Sequence, residues 1–168
     1  MSEPKRYQPE RAFPAYAYLP GRDPHPTQDE RGHSFTRTGE PPPQYYPPER
    51  WSENSDYLYG VDLYNFGYLW EAHEAWEGLW HKAKHDTHQA QLLQGLIQCS
   101  AAALKIPMGQ PNGLARLSEF GTGRLESIAR EHGTYMGLSL MEFVQEFREF
   151  AESAPESADE RPRIVLEE

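Results

Sequence analysis

The sequence predicts an all-α protein: a small bundle of about five helices arranged as antiparallel hairpins, preceded by a proline-rich, non-helical N-terminal arm. Eleven of the 15 prolines fall in residues 1–50, and none falls between Pro48 and Pro107, leaving 58 residues free of the strongest helix breaker. Beyond residue 51 apolar side chains recur at helical spacing, and no segment alternates as a half-buried strand would. Composition divides the chain into an arm (1–50), a helical domain (51–154) and an acidic tail (155–168).

The arm holds only two large aliphatic residues, Met1 and Leu19, but seven aromatics: Tyr7, Phe13, Tyr16, Tyr18, Phe35, Tyr45 and Tyr46. It cannot build a core of its own, because aliphatic burial is what offsets chain entropy. Two readings follow. The segment is an extended, partly disordered tail, or it drapes over the helices and inserts its rings. The turn-like run Pro20–Asp23–Pro24 and the polyproline stretch at Pro41, Pro42 and Pro43 suit the second.

The first helix is expected over residues 56–66, with Gly67 as its break, and the second over 68–84. Asp86 and Gln89 have the spacing of a capping box for the third, 87–105, which Pro107 stops. Asn112 caps a fourth over 113–131, weakened in its middle by Gly121 and Gly123. Ser139 and Glu142 form a second capping box, opening a fifth helix to about residue 153 whose stripe is Leu140, Phe143, Val144, Phe147 and Phe150. The tail after Pro155 reads as solvated.

The formal net charge is −10; residues 1–50 are balanced, so the excess lies in the helical part and tail. An acidic domain without a Lys/Arg cluster suits neither nucleic acid nor an anionic membrane. No apolar run is long enough to span a bilayer, and residues 1–6 lack the apolar core of a signal peptide. A lone Cys99 permits no internal disulfide, which with the preceding points suggests the cytoplasm. The partners left are a small-molecule ligand or a second copy of the chain.

The second helix carries the chemistry. At 100° per residue Leu69, Trp76 and Trp80 share a face with Trp70 on its flank, and His73 and Glu77 fall between these rings. Glu74 lies on the shoulder, and Glu71 points away. Burying a carboxylate and an imidazole requires pairing or coordination. His73, Glu74 and Glu77 are therefore candidate ligands of a divalent metal ion, with Glu74 or Glu77 as catalytic carboxylate. His-Glu-x-x-Glu is not the zincin motif, and one helix supplies too few ligands alone, so another segment must help. His25 and His33 in the arm are candidates for that help. On the third helix Gln94 and Gln98, beside small Gly95, Ala101 and Ala102, could meet the His73/Glu77 face and bind substrate with Trp70 and Trp80. His85, His88 and His132 read as surface residues at helix ends, and Cys99 as a small buried filler.

The run YNFGYLWEAHEAWEGLW at 64–80 resembles the signature of the family catalogued as domain of unknown function 309. LQGLIQ at 93–98 is similar to its second motif, and QPNGLA at 110–115 to the turn that follows, with a departure at residues 110–112. The resemblance covers about residues 56–120. It implies a small fold of packed helical hairpins, often labelled a metal-dependent hydrolase, with Glu71, His73, Glu74, Glu77, Gln94 and Gln98 at the characteristic positions. Three functions stand open: a metal-dependent hydrolase, a non-catalytic helical binding or scaffold module in which the same residues form a structural polar network, and metal-free acid/base chemistry on a small ligand.

Overall fold

The structure is a computed structural model that describes residues 3–36 and 40–167; residues 1–2, with Met1 and part of the segment read for a signal peptide, lie outside that description. Among the described residues the five α-helices are α1 (Ser55–Asn65), α2 (Leu69–Lys82), α3 (Thr87–Leu104), α4 (Pro111–Ala129) and α5 (Leu140–Glu152). Each packs on the next through short connections, as a bundle of hairpins requires. Among the described residues no helix is long and apolar enough to cross a membrane.

Local chemistry sets the boundaries. Asn54 Oδ1 accepts from the Tyr57 amide at 3.1 Å and caps α1; Asp86 Oδ1 caps α3 by accepting from the Gln89 amide at 3.2 Å. The expected Asp86–Gln89 box is only half formed, because the Gln89 side chain turns to the arm and donates to the Tyr46 carbonyl at 3.0 Å. Asn112 does not cap α4. Pro111 takes the first helical turn, where its missing N–H costs nothing, and Gln110 precedes it. Ser139 makes no side-chain cap either. It belongs to a hairpin pairing β1 (Thr134–Tyr135) with β2 (Leu138–Ser139), too short to leave an alternating pattern in the sequence. Met136 (φ 48°) and Gly137 (φ 82°) form its turn, the two positive φ values that a tight right-twisted hairpin needs.

The core holds Trp76, Tyr57, Tyr64 and Phe147, each fully buried, with the whole expected α5 stripe. On α2 the buried stripe runs Leu69, Ala72, Trp76, Leu79 and, just past the helix, Ala83. Gly121 explains the weak middle of α4. A Cβ there would lie 2.9 Å from Cys99 Sγ and 2.9 Å from the Gly95 carbonyl, so the pair Gly95 and Gly121 brings α3 and α4 into backbone contact. Cys99 is buried at that contact, and burial pushes its thiol pKa well up.

Both chain ends clamp α1. Asp62 is fully buried, and its carboxylate accepts from Arg6 Nε (3.0 Å), the Tyr7 amide (2.7 Å) and the Gln8 amide (2.8 Å) of the arm. Phe13 stacks on Tyr68 at 4.8 Å, and the Arg6 guanidinium lies 4.0 Å from the Phe13 ring centre. Phe35, in contrast, is exposed, so the arm inserts only some of its rings. The tail after Pro155, expected from its acidity to be solvated, is largely exposed as far as Glu160 but is then anchored by buried Arg161, Ile164 and Leu166. Arg161 donates to the Tyr64 carbonyl at the C-terminal end of α1 (Nη2, 2.6 Å), a helix end that favours a cation. Ile164 and Leu166 are buried around an exposed Val165, and Asn65 exchanges two 2.8 Å hydrogen bonds with Ile164.

Replacing Asp62 with alanine removes the acceptor of three arm donors, one of them cationic. Breaking a buried pair of this kind costs about 3–5 kcal/mol. Urea unfolding is expected to show that loss for Asp62→Ala, and limited proteolysis to show earlier cleavage within residues 3–36.

Candidate functional site

The arm crosses the outer face of the α1–α2 hairpin and leaves a cleft of about 640 Å³ beneath it. One wall is helical: Asp56 and Tyr59 from α1, and Trp70, Glu71, Glu74 and Gly78 from α2. The other is the arm, through Arg11, Pro26, His33, Ser34 and the prolines 41–43. Gly78 matters because a Cβ there would press on Pro43 at 3.2 Å.

Glu71 is the centre of this wall. His33 Nε2 donates to its Oε2 at 2.6 Å and the Tyr18 amide donates to the same oxygen at 2.9 Å. The His33 and Glu71 side chains are 3% and 5% exposed, so the pair is dry. His33 is held in turn: Nδ1 lies 2.8 Å from Ser34 Oγ, its amide donates to Tyr16 Oη at 3.1 Å, and Tyr16 donates to the Pro24 carbonyl at 2.7 Å. The other carboxylate oxygen, Oε1, is buried and has no hydrogen-bond partner among the described residues. An unused buried acceptor costs about 1–3 kcal/mol, and such groups are kept where something else makes use of them.

His73, Glu74 and Glu77 come together one turn along α2. One ligand atom from each lies within 4.8 Å of the others. None of the three is buried, which corrects the expectation that His73 and Glu77 interrupt the core stripe; the core runs through Ala72 and Leu79 instead. His73 Nδ1 donates to the Trp70 carbonyl, and Nε2 faces Glu74 Oε1 at 3.3 Å. The hydrogen bond from His73 holds the Glu74 carboxyl below its usual range, against a smaller opposing effect of burial. Glu74 therefore keeps its charge to lower pH than a free glutamate. A ring whose Nδ1–H is committed to a backbone carbonyl and whose Nε2 points at carboxylates has the arrangement of a metal-ligating histidine. One imidazole and two carboxylates fit zinc, manganese or iron.

The remaining candidates lie elsewhere. Trp70 borders the cleft, its ring edge-on to Tyr18, His25 and His73 at 5.1–5.6 Å. His25 thus packs on that ring while its Nδ1 accepts from the Thr27 and Gln28 amides, each at 3.2 Å. Trp80 carries Lys84 Nζ 4.6 Å over its ring. Gln98 does not meet α2. Its Oε1 accepts from Arg124 Nε on α4 at 2.9 Å, and Gln91 accepts from the same guanidinium at 2.8 Å. Gly95, one turn away, packs on Leu125 and Gly121 of α4, which turns this amide face away from the cleft. Gln94 is partly buried on the same helix and is absent from the cleft wall. Glu71 was read as pointing away from the core, which is correct, but it points under the arm.

Fold and site together define a small helical-hairpin domain with an arm-covered acidic cleft on its first hairpin. Residues 57–117, from α1 into α4, match the family described as Domain of unknown function (DUF309). The resemblance seen in the two helical motifs is thereby borne out. No curated protein and no solved structure matches the chain.

Removing the His33 ring leaves the Glu71 carboxylate buried with a single amide donor. His33→Ala is expected to cost about 3 kcal/mol in urea unfolding, while far-ultraviolet circular dichroism keeps the helical signal. A cost below about 1 kcal/mol, the range of exposed pairs, would show that the pair is not dry in solution.

Proposed function

We propose that the domain hydrolyses a small ligand bound in the cleft, assisted by a divalent ion at His73, Glu74 and Glu77. The single observation behind this reading is that Glu74 belongs both to that ligand group and to the wall of the cleft, three residues from the buried Glu71. An ion held there would supply Lewis-acid polarisation of a carbonyl or phosphoryl oxygen. Glu71, oriented by His33 and the Tyr18 amide, offers Oε1 as the acceptor of a proton from water, the part of a general base. Trp70 supplies an apolar face on which the ligand can lie. His25 and His33 are spoken for by protein partners and take no part as ligands in this reading.

A second reading has its own support. The same Glu71 hydrogen bonds fasten the arm, and Gln91 and Gln98 bridge α3 to Arg124, so polar groups of the motif helices also serve the fold. On that view the domain is a non-catalytic binding or scaffold module.

Tag-free protein assayed on chromogenic carboxylic and phosphoric esters, with and without manganese or zinc, separates the two. The hydrolase reading expects metal-dependent turnover, a fall of about 100-fold or more for Glu71→Gln, and loss of metal response for His73→Ala. Absence of turnover and of any metal-induced rise in melting temperature, with both variants merely less stable, favours the scaffold.

A further inference from the structure

A second group of side chains, remote in sequence from the α2 cluster, has the composition of a metal site. His88 stands in the first turn of α3, while Glu131 and His132 follow the end of α4. One ligand atom from each of the three lies within 4.8 Å of the others. His88 Nδ1 faces His132 Nε2 at 2.9 Å, and His88 Nε2 lies 3.1 Å from Glu131 Oε2. From these contacts we infer that His88, Glu131 and His132 bind a divalent transition ion of the zinc class, which ties the start of α3 to the loop after α4.

The two imidazole nitrogens point at each other, so without an ion one must donate a proton to the other. Two nitrogens bound to one tetrahedral ion at ~2.0–2.1 Å each sit roughly 3.3 Å apart. The observed spacing needs to open by a few tenths of an ångström, and because a tetrahedral ion lies off the line between its nitrogens, each ring turns by roughly 35° toward it as the bridging proton is released to solvent. Glu131 sits against the other nitrogen of His88, and its exposed side chain is free to swing a negative oxygen round to an ion between the two rings, with water completing the coordination shell.

The group is held in register before any ion arrives. The His132 amide donates to the Ile128 carbonyl at 3.1 Å, and its ring packs 4.7 Å from Tyr135, which the β-hairpin buries. His88 is carried on α3 two residues after its Asp86 cap and lies edge-on to the His132 ring at 4.9 Å. Two imidazoles and one carboxylate prefer zinc, cobalt, nickel or copper to magnesium or calcium.

The site stands apart from the α2 group, and the experiment keeps the two separate. Tag-free, chelator-stripped His73→Ala/Glu77→Ala protein, which keeps only Glu74 of the three α2 ligands, is titrated with zinc by calorimetry and followed through the imidazole proton resonances. One equivalent of zinc is expected, shifting the His88 and His132 resonances. Adding His88→Ala or His132→Ala is expected to weaken binding at least ten-fold, with circular dichroism confirming that each variant is folded. Unmoved resonances for those two rings, or weakening below ten-fold in both variants, would overturn the site. Loss of turnover in His73→Ala with zinc still bound here would concern α2 alone.

Discussion

Asp62 on α1 and Glu71 on α2 are carboxylates buried on the outer surface of the first helical hairpin, and the rest of the structure depends on how they are satisfied. A buried carboxylate is tolerated only with charge-assisted hydrogen bonds around it. Every hydrogen bond described for the two comes from the arm: Arg6, Tyr7 and Gln8 for Asp62, and Tyr18 and His33 for Glu71. The arm has few aliphatic side chains to bury, and the hairpin's two buried acids take their described hydrogen bonds from the arm. Each supplies what the other is missing.

This exchange also explains where the cleft lies. The interior of the bundle is filled by Trp76, Tyr64 and the α5 stripe, and contact between α3 and α4 at Gly95 and Gly121 closes the other side. The cleft of about 640 Å³ remains where the proline segment 41–43 lies against α2. Polar anchoring at a few points, rather than continuous apolar packing, is what leaves a walled gap beside the anchors. The group that fixes the arm, Glu71 with His33, thereby becomes a group that a ligand would meet.

Much of this was legible in the sequence. The five helices, the Asp86 cap, the α5 stripe and the buried Cys99 follow from spacing and local chemistry, which act within a turn or two. The relation between helix and arm does not. Glu71 sits off the core stripe, so periodicity correctly directs it outward, but nothing local says that an arm 38 residues upstream will cover it. Asp62 was hidden for the same reason. Gln98 was aimed at α2 because small neighbours signal a close helix without saying which one. The tail did carry a usable signal: Ile164, Val165 and Leu166 are an apolar triplet in an acidic segment, with the strand-like alternation that its burial shows.

The central claim is that the arm is bound to the hairpin through its own backbone donors, so amide hydrogen exchange on the unmodified protein tests it most directly. Tyr7, Gln8 and Tyr18 donate their amides to Asp62 and Glu71. They are expected to exchange at least 100-fold more slowly than the amides of exposed arm residues such as Ala12 and Ala15, and in step with one another. Exchange of all three at the rate of an unstructured peptide would contradict the account, because the two carboxylates would then lack the partners on which their burial rests.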